Sequence, residues 1–137
     1  MAEVRRTVSL PAHADEVWSL VGDYNGLPQW LPGIEKSELE QDGAIRRLTL
    51  AEGAGEVVEV LEEHDPGGRT YTYRIIESGL PIKDYVSTMT VHEQGGSSEL
   101  EWSATFESVG VSDEEASAII EGIYDAGIGG LKERFRG

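Results

Sequence analysis

SSELEWSATFESVGVSDEEASAIIEGIYDAGIGGLKERF, residues 97–135, changes its hydrophobic period once, and that change decides the fold. Up to Glu107, the residues Leu100, Trp102, Ala104 and Phe106 alternate with Glu99, Glu101, Ser103, Thr105 and Glu107, the period of two that marks a strand with one buried and one wet face. From Ser112 the period becomes helical. Ser112 with Glu115 three positions on is a capping box, and Ala116, Ile119, Ile120, Ile123, Tyr124, Ile128, Leu131 and Phe135 form a single apolar stripe. The stretch therefore predicts a half-buried strand followed by a long, one-faced helix that lies on the sheet. Its oddity is glycine. Gly122, Gly127, Gly129 and Gly130 each cost a helix roughly 1 kcal/mol relative to alanine. Gly127 and Gly130 fall on or beside the apolar stripe, where two readings compete: small residues let the helix lie close on its neighbours, or they leave space for a guest.

Working backwards, the chain reads as short strands separated by turn chemistry. EVRRTVSL (3–10) is a strand ended by Pro11, and 14–21 places Val17, Trp18, Leu20 and Val21 at helical spacing behind Asp15 and Glu16. GDYNGLPQWLPGI (22–34) permits at most one more helical turn, yet contains a tryptophan, Trp30, between two prolines. IEKSELEQ and AIRRLTLA flank Asp42-Gly43, a strong hairpin signal. GEVVEVLEEH, RTYTYRII, KDYVSTMTVHE and the final strand follow, separated by Asp65-Pro66-Gly67-Gly68, Ser78-Gly79-Leu80-Pro81 and Gln94-Gly95-Gly96-Ser97. The fold class is α+β: about seven antiparallel strands, two short helices after the first strand, and a long C-terminal helix.

Composition narrows the function. At 137 residues one domain, 1–137, is expected. With 26 Asp+Glu against 11 Lys+Arg the net charge is −15, which repels nucleic-acid phosphates and anionic lipid surfaces. The basic pairs Arg5-Arg6 and Arg46-Arg47 read as solvated strand faces. There is no cysteine, so disulfides, thiolate chemistry and cysteine-bound metal are excluded. No apolar run is long enough to span a membrane and the first residues lack the apolar centre of a signal peptide, so a cytoplasmic protein is expected. His13, His64 and His92 are far apart and read as surface residues. Glu62, Glu63, His64 and Asp65 fail as a metal site because successive strand residues face opposite ways. No nucleophile elbow, phosphate loop or dinucleotide fingerprint occurs, so neither metal nor cofactor is expected.

VSLPAHADEVWSLVGDYNGLPQWLPGI, VVEVLEEHDPGGRTYTYRIIESGLP and DYVSTMTVHEQGGSSELEWSATF together resemble the START-like (SRPBCC) superfamily, which includes polyketide cyclases, birch pollen allergen-like proteins and plant abscisic acid receptors. The resemblance implies a helix-grip fold, in which a curved sheet wraps the C-terminal helix and leaves an elongated cavity. It also implies inward positions: Tyr85, Ser87, Met89 and Val91 in DYVSTMTVH, Glu59 in VVEVL, Tyr73 and Ile75 on the neighbouring strand, and Lys36 as a partner for a ligand carboxylate. The gate motif of the plant receptors is replaced by Glu52-Gly53-Ala54-Gly55, which argues against plant-type hormone sensing and leaves the chain more similar to bacterial members.

The candidate ligand-binding set is Trp30, Lys36, Glu59, Tyr73, Ile75, Tyr85, Ser87, Met89, Trp102, Ile123 and Gly127, with Glu59 as the candidate catalytic residue. A buried carboxylate has its pKa raised by desolvation toward the range useful for proton transfer; in EVVEVLEE the faces are ambiguous and the residues alone favour a solvated Glu59, a preference that the resemblance reverses. Three functions stay open. The first is binding of a small, largely hydrophobic molecule in an internal cavity, the second a cyclase or dehydratase using that cavity, and the third a ligand-dependent regulator of a protein partner. Monomer and homodimer are equally compatible with the sequence.

Overall fold

A computed structural model describes residues 2–135. The element order is β1 (Ala2–Leu10), α1 (Ala14–Val21), β2 (Ile34–Glu40), β3 (Ile45–Leu50), β4 (Glu56–Asp65), β5 (Thr70–Glu77), β6 (Ile82–Gln94), β7 (Ser97–Ser108) and α2 (Asp113–Arg134). The second short helix after β1 is a single 3-10 turn, Leu27–Gln29, started by Pro28 and ended by Trp30. All strands join one antiparallel sheet in the order β1-β7-β6-β5-β4-β3-β2. This is the architecture of the helix-grip fold.

The alternation in β7 buries Leu100, Trp102, Ala104 and Phe106 as expected. Their face continues across β6 through Tyr85, Ser87, Met89 and Val91, and across β5 through Tyr71 and Tyr73. α2 begins at its capping box, with the Ser112 hydroxyl accepting from the Glu115 amide at 3.1 Å. It packs chiefly on β1 and β7, burying Ala116, Ile120, Tyr124, Ile128 and Leu131. α2 therefore does not pack closely on β3, β4 and β5, where α1 reaches only the far ends of β4 and β5 through Trp18, and that asymmetry makes room for a cavity.

α1 has no side-chain cap of its own. Glu93 at the far end of β6 supplies one, accepting from the Ala14 amide at 2.9 Å and from Gly96 at 3.0 Å. Those two backbone donors hold the Glu93 carboxyl below the usual range, as expected for an anion at a helix N-terminus. The contact ties the β6–β7 hairpin to α1. No described helix is long and apolar enough to cross a membrane.

Candidate functional site

Between α2 and β3–β7 lies a cavity of about 510 Å³, within the size range that holds a small organic molecule. Its walls are Leu48 and Leu50 of β3, Val57 of β4, Ile75 of β5, Leu27 and Leu31 from the 22–34 loop, and Ile119, Ile120 and Ile123 of α2. Apart from the exposed Glu52, the ionisable and hydroxyl side chains of the lining form one cluster: Tyr73, Tyr85 and Tyr124 are linked through their hydroxyls beside the Trp102 indole, and Glu59 joins them through Arg46, which lies against the Tyr73 ring. Ile119, Gly122 and Ala126 on the exposed side of α2 lie opposite Glu52, Ala54 and Leu80, and these residues form the rim.

Glu59 is buried and paired with Arg46, itself only 1% exposed. The Arg46 Nε donates to Glu59 Oε1 at 2.7 Å, Nη2 donates to the same oxygen, and Nη1 donates to the Tyr24 carbonyl at 2.7 Å. The guanidinium lies 4.0 Å from the Tyr24 ring centre and 5.1 Å from that of Tyr73, so cation–π contacts cover it on top of the ion pair. Burial opposes the Arg46 charge, but the Glu59 carboxylate and the tyrosine oxygens around it outweigh that, and the guanidinium keeps its proton. Burial pushes the Glu59 carboxyl up, against the pull of Arg46, so it takes up a proton more readily than an exposed glutamate.

The tyrosines form a second network. Tyr73 and Tyr85 hydroxyls are 3.4 Å apart, Tyr85 is hydrogen-bonded to Tyr124, and Tyr124 meets Ser87 Oγ at 2.8 Å. Trp102 Nε1 donates to the Tyr73 hydroxyl at 3.3 Å, and its ring stacks on Tyr124 at 3.9 Å and 11°. Desolvation raises the pKa values of Tyr73, Tyr85 and Tyr124, which keeps all three as neutral hydroxyls.

Of the sequence candidates, the structure brings Glu59, Tyr73, Ile75, Tyr85, Trp102 and Ile123 together on the cavity wall. Ser87 stands one bond behind it, held by Tyr124, and Met89 is fully buried away from it in the core. Lys36 is elsewhere. Its side chain is 60% exposed and pairs with Glu38 at 3.4 Å. The reason is a bulge: Ile34 pairs with Leu50 but Lys36 pairs with Thr49, and this one-residue slip turns Lys36 to the outer face.

Trp30 and Gly127 also lie outside the lining, and for a shared reason. The Trp30 ring packs edge-on against Trp102 at 5.5 Å, behind the wall that its neighbours Leu27 and Leu31 form. A Cβ on Gly127 would meet Leu31, Trp102 and Trp30 at 3.0 Å, and one on Gly130 would fall 2.1 Å from the Trp30 carbonyl oxygen. At these two positions the close-packing reading of the glycines holds. Gly122 is the opposite case, since a Cβ there meets nothing within 4 Å and the residue lines the cavity rim.

Arg46 corrects the expectation of a solvated basic strand face. Arg47 does face outward, to Glu40 and Glu56, whereas Arg46 shares its parity with Leu48 and Leu50 and so points inward. That parity was the available signal. Tyr124 was visible only as part of the α2 stripe, and Tyr24 not at all.

A search of curated proteins finds no match. Among solved structures, the protein XoxI from Bacillus cereus is 38% identical with a TM-score of 0.95, covering 98% of this chain and 96% of its own. A protein from Bacillus thuringiensis is 37% identical with the same TM-score, over 99% of this chain and 100% of that one. Norcoclaurine synthase from Thalictrum flavum, solved with dopamine and hydroxybenzaldehyde, shares the fold at 23% identity and a TM-score of 0.71, over 96% of this chain and 84% of its own. The family model described as polyketide cyclase / dehydrase and lipid transport matches residues 1–136, and the chain belongs to that family, within the START-like superfamily.

Proposed function

We propose that this protein binds a small, largely apolar molecule in the cavity between the sheet and α2, with the polar end of that molecule placed against Glu59 and the tyrosines. One observation carries the reading: a cavity of about 510 Å³ whose walls are aliphatic and whose polar groups are gathered at one end. A space filled only by poor packing would not segregate its polar groups in this way, because buried polar atoms are normally satisfied where they stand. The description of the family, which couples cyclase and dehydrase chemistry with lipid transport, is consistent with a guest of this kind.

The test uses 1-decanol as a probe. Titration is expected to raise the melting temperature and to change the emission of Trp102, which stands on the cavity wall against Tyr124. Ile123→Trp, which puts an indole into the cavity from α2, is expected to weaken binding by about tenfold or more, equivalent to roughly 1.4 kcal/mol. Absence of any stabilisation, or equal affinity in the filled variant, would remove the cavity as the site.

A second reading, proton transfer by Glu59 during folding of a poly-carbonyl chain, is favoured by one feature: the carboxyl lines the cavity with its pKa pushed up by burial. It predicts that Glu59→Gln abolishes turnover of such a chain. Unchanged turnover would take Glu59 out of the mechanism.

A further inference from the structure

Resting on that binding reading, the directions of the hydrogen bonds at the polar end narrow the class of guest. Ser87 donates its hydroxyl proton to the Ser103 carbonyl at 2.9 Å, and a carbonyl can only accept. With that proton committed, Ser87 Oγ must accept from Tyr124 at 2.8 Å. Tyr124 in turn accepts from Tyr85. The backbone carbonyl thus orients the whole chain, and the protons of Tyr85 and Tyr124 point away from the guest. Tyr73 differs. It accepts from Trp102 Nε1, and among the described residues the one hydrogen-bond geometry left to its own proton is the Tyr85 oxygen at 3.4 Å, beyond the usual range for O–H···O bonds, with the Ser87 hydroxyl also within electrostatic reach. Of the tyrosines that line the cavity, Tyr73 therefore holds the loosely committed donor; the Tyr24 hydroxyl is also unpaired but lies outside the lining.

Glu59 supplies the complementary half. Both bonds from Arg46 land on Oε1, and among the described residues no donor reaches Oε2, although Glu59 lines the cavity. The pair is ionised, because a neutral Glu59 would leave the buried guanidinium uncompensated. The polar end then offers one strong acceptor, Glu59 Oε2, and one available donor, the Tyr73 hydroxyl.

We propose that the cavity selects a neutral, hydroxyl-bearing apolar molecule and rejects a carboxylate of the same length. A hydroxyl donates to Oε2 and accepts from Tyr73, satisfying both groups at once. A carboxylate only accepts, so it leaves Oε2 without a donor and sets two anions side by side in a protein that already carries a net charge of −15. An ether avoids the repulsion but still leaves Oε2 unpaired, which a site built to hydrogen-bond a hydroxyl penalises strongly.

The experiment compares 1-decanol, decanoate and decyl methyl ether at neutral pH, by calorimetry on the full chain. Decanol is expected to bind at least about tenfold more tightly than either of the others. Equal affinities, or decanoate as the tightest, would overturn the head-group assignment while leaving the binding reading intact. Binding of none of the three would overturn the binding reading, and this proposal with it. In Glu59→Gln the repulsion is removed and Arg46 loses its counter-charge, so the preference for decanol over decanoate is expected to fall below about threefold. A folded Glu59→Gln protein that keeps the full preference would show that Glu59 does not set it. The comparison in the unmodified protein decides the proposal if that variant fails to fold.

Discussion

Replacing Arg46 with methionine is expected to cost about 3–5 kcal/mol of folding stability, the range for removing one partner of a buried ion pair. The loss comes mainly from what remains. Glu59, also buried, would lose the two N–H donors and the positive charge that now compensate its desolvation, and would have to take up a proton or stay buried as an unpaired charge. The paired replacement Arg46→Met with Glu59→Leu removes both charges from between the Tyr24 and Tyr73 rings and leaves the Tyr24 carbonyl without its donor, so it is expected to recover most of that loss and to return stability to within about 2 kcal/mol of the parent. Urea unfolding with an unchanged m-value measures both. If the single replacement cost under about 1 kcal/mol, the pair would be solvated and the polar end of the cavity would not be as described.

The second large effect concerns α2. Gly130→Ala is expected to destabilise by about 1–3 kcal/mol, because the new Cβ would sit 2.1 Å from the Trp30 carbonyl oxygen and backbone must move to admit it. This loss arises even though alanine gains roughly 1 kcal/mol of helix propensity over glycine. Gly122→Ala has that gain and no contact to oppose it, so it is expected to stabilise by up to about 1 kcal/mol. Thermal unfolding of the two variants separates the roles. Equal and favourable effects would mean that the 22–34 loop does not rest on α2 at Gly130.

These two cases also mark how far the sequence can be read. The elements were legible because hydrophobic period is a local property: β7 and α2 are separated by nothing more than the change from a period of two to a helical one. The turn at Ser112 was equally plain, since a capping box is a pattern of neighbours. The site was less legible because its chemistry depends on pairing between strands. Arg46 and Glu59 stand directly opposite each other across β3 and β4, but neither is assigned to the inner face until the register is known. Arg46 follows Leu48 and Leu50 by parity, whereas Glu59 sits in a run, Val57 to Glu59, that is buried on both faces, so alternation is silent there. Lys36 failed for the opposite reason, as an irregularity between Ile34 and Lys36 reverses the face that alternation would assign.

The glycines of α2 show the same limit. Their helix-weakening residue type is visible in the sequence, but what each one faces is not. Gly127 and Gly130 are close approaches to the Trp30 loop, which explains a tryptophan between two prolines: Trp30 caps a 3-10 turn and locks it against α2 and Trp102. Leu27 and Leu31, held in place by that lock, form part of the cavity wall.

The most direct measurement is a methyl carbon–proton correlation titration with 1-decanol. Saturable, one-to-one shifts are predicted for Leu48, Leu50, Ile75, Ile120 and Ile123 on the cavity wall, while the exposed Leu39, Ile76 and Val109 stay unmoved. Shifts confined to those exposed residues, or no shifts at all, would contradict a guest held between the sheet and α2.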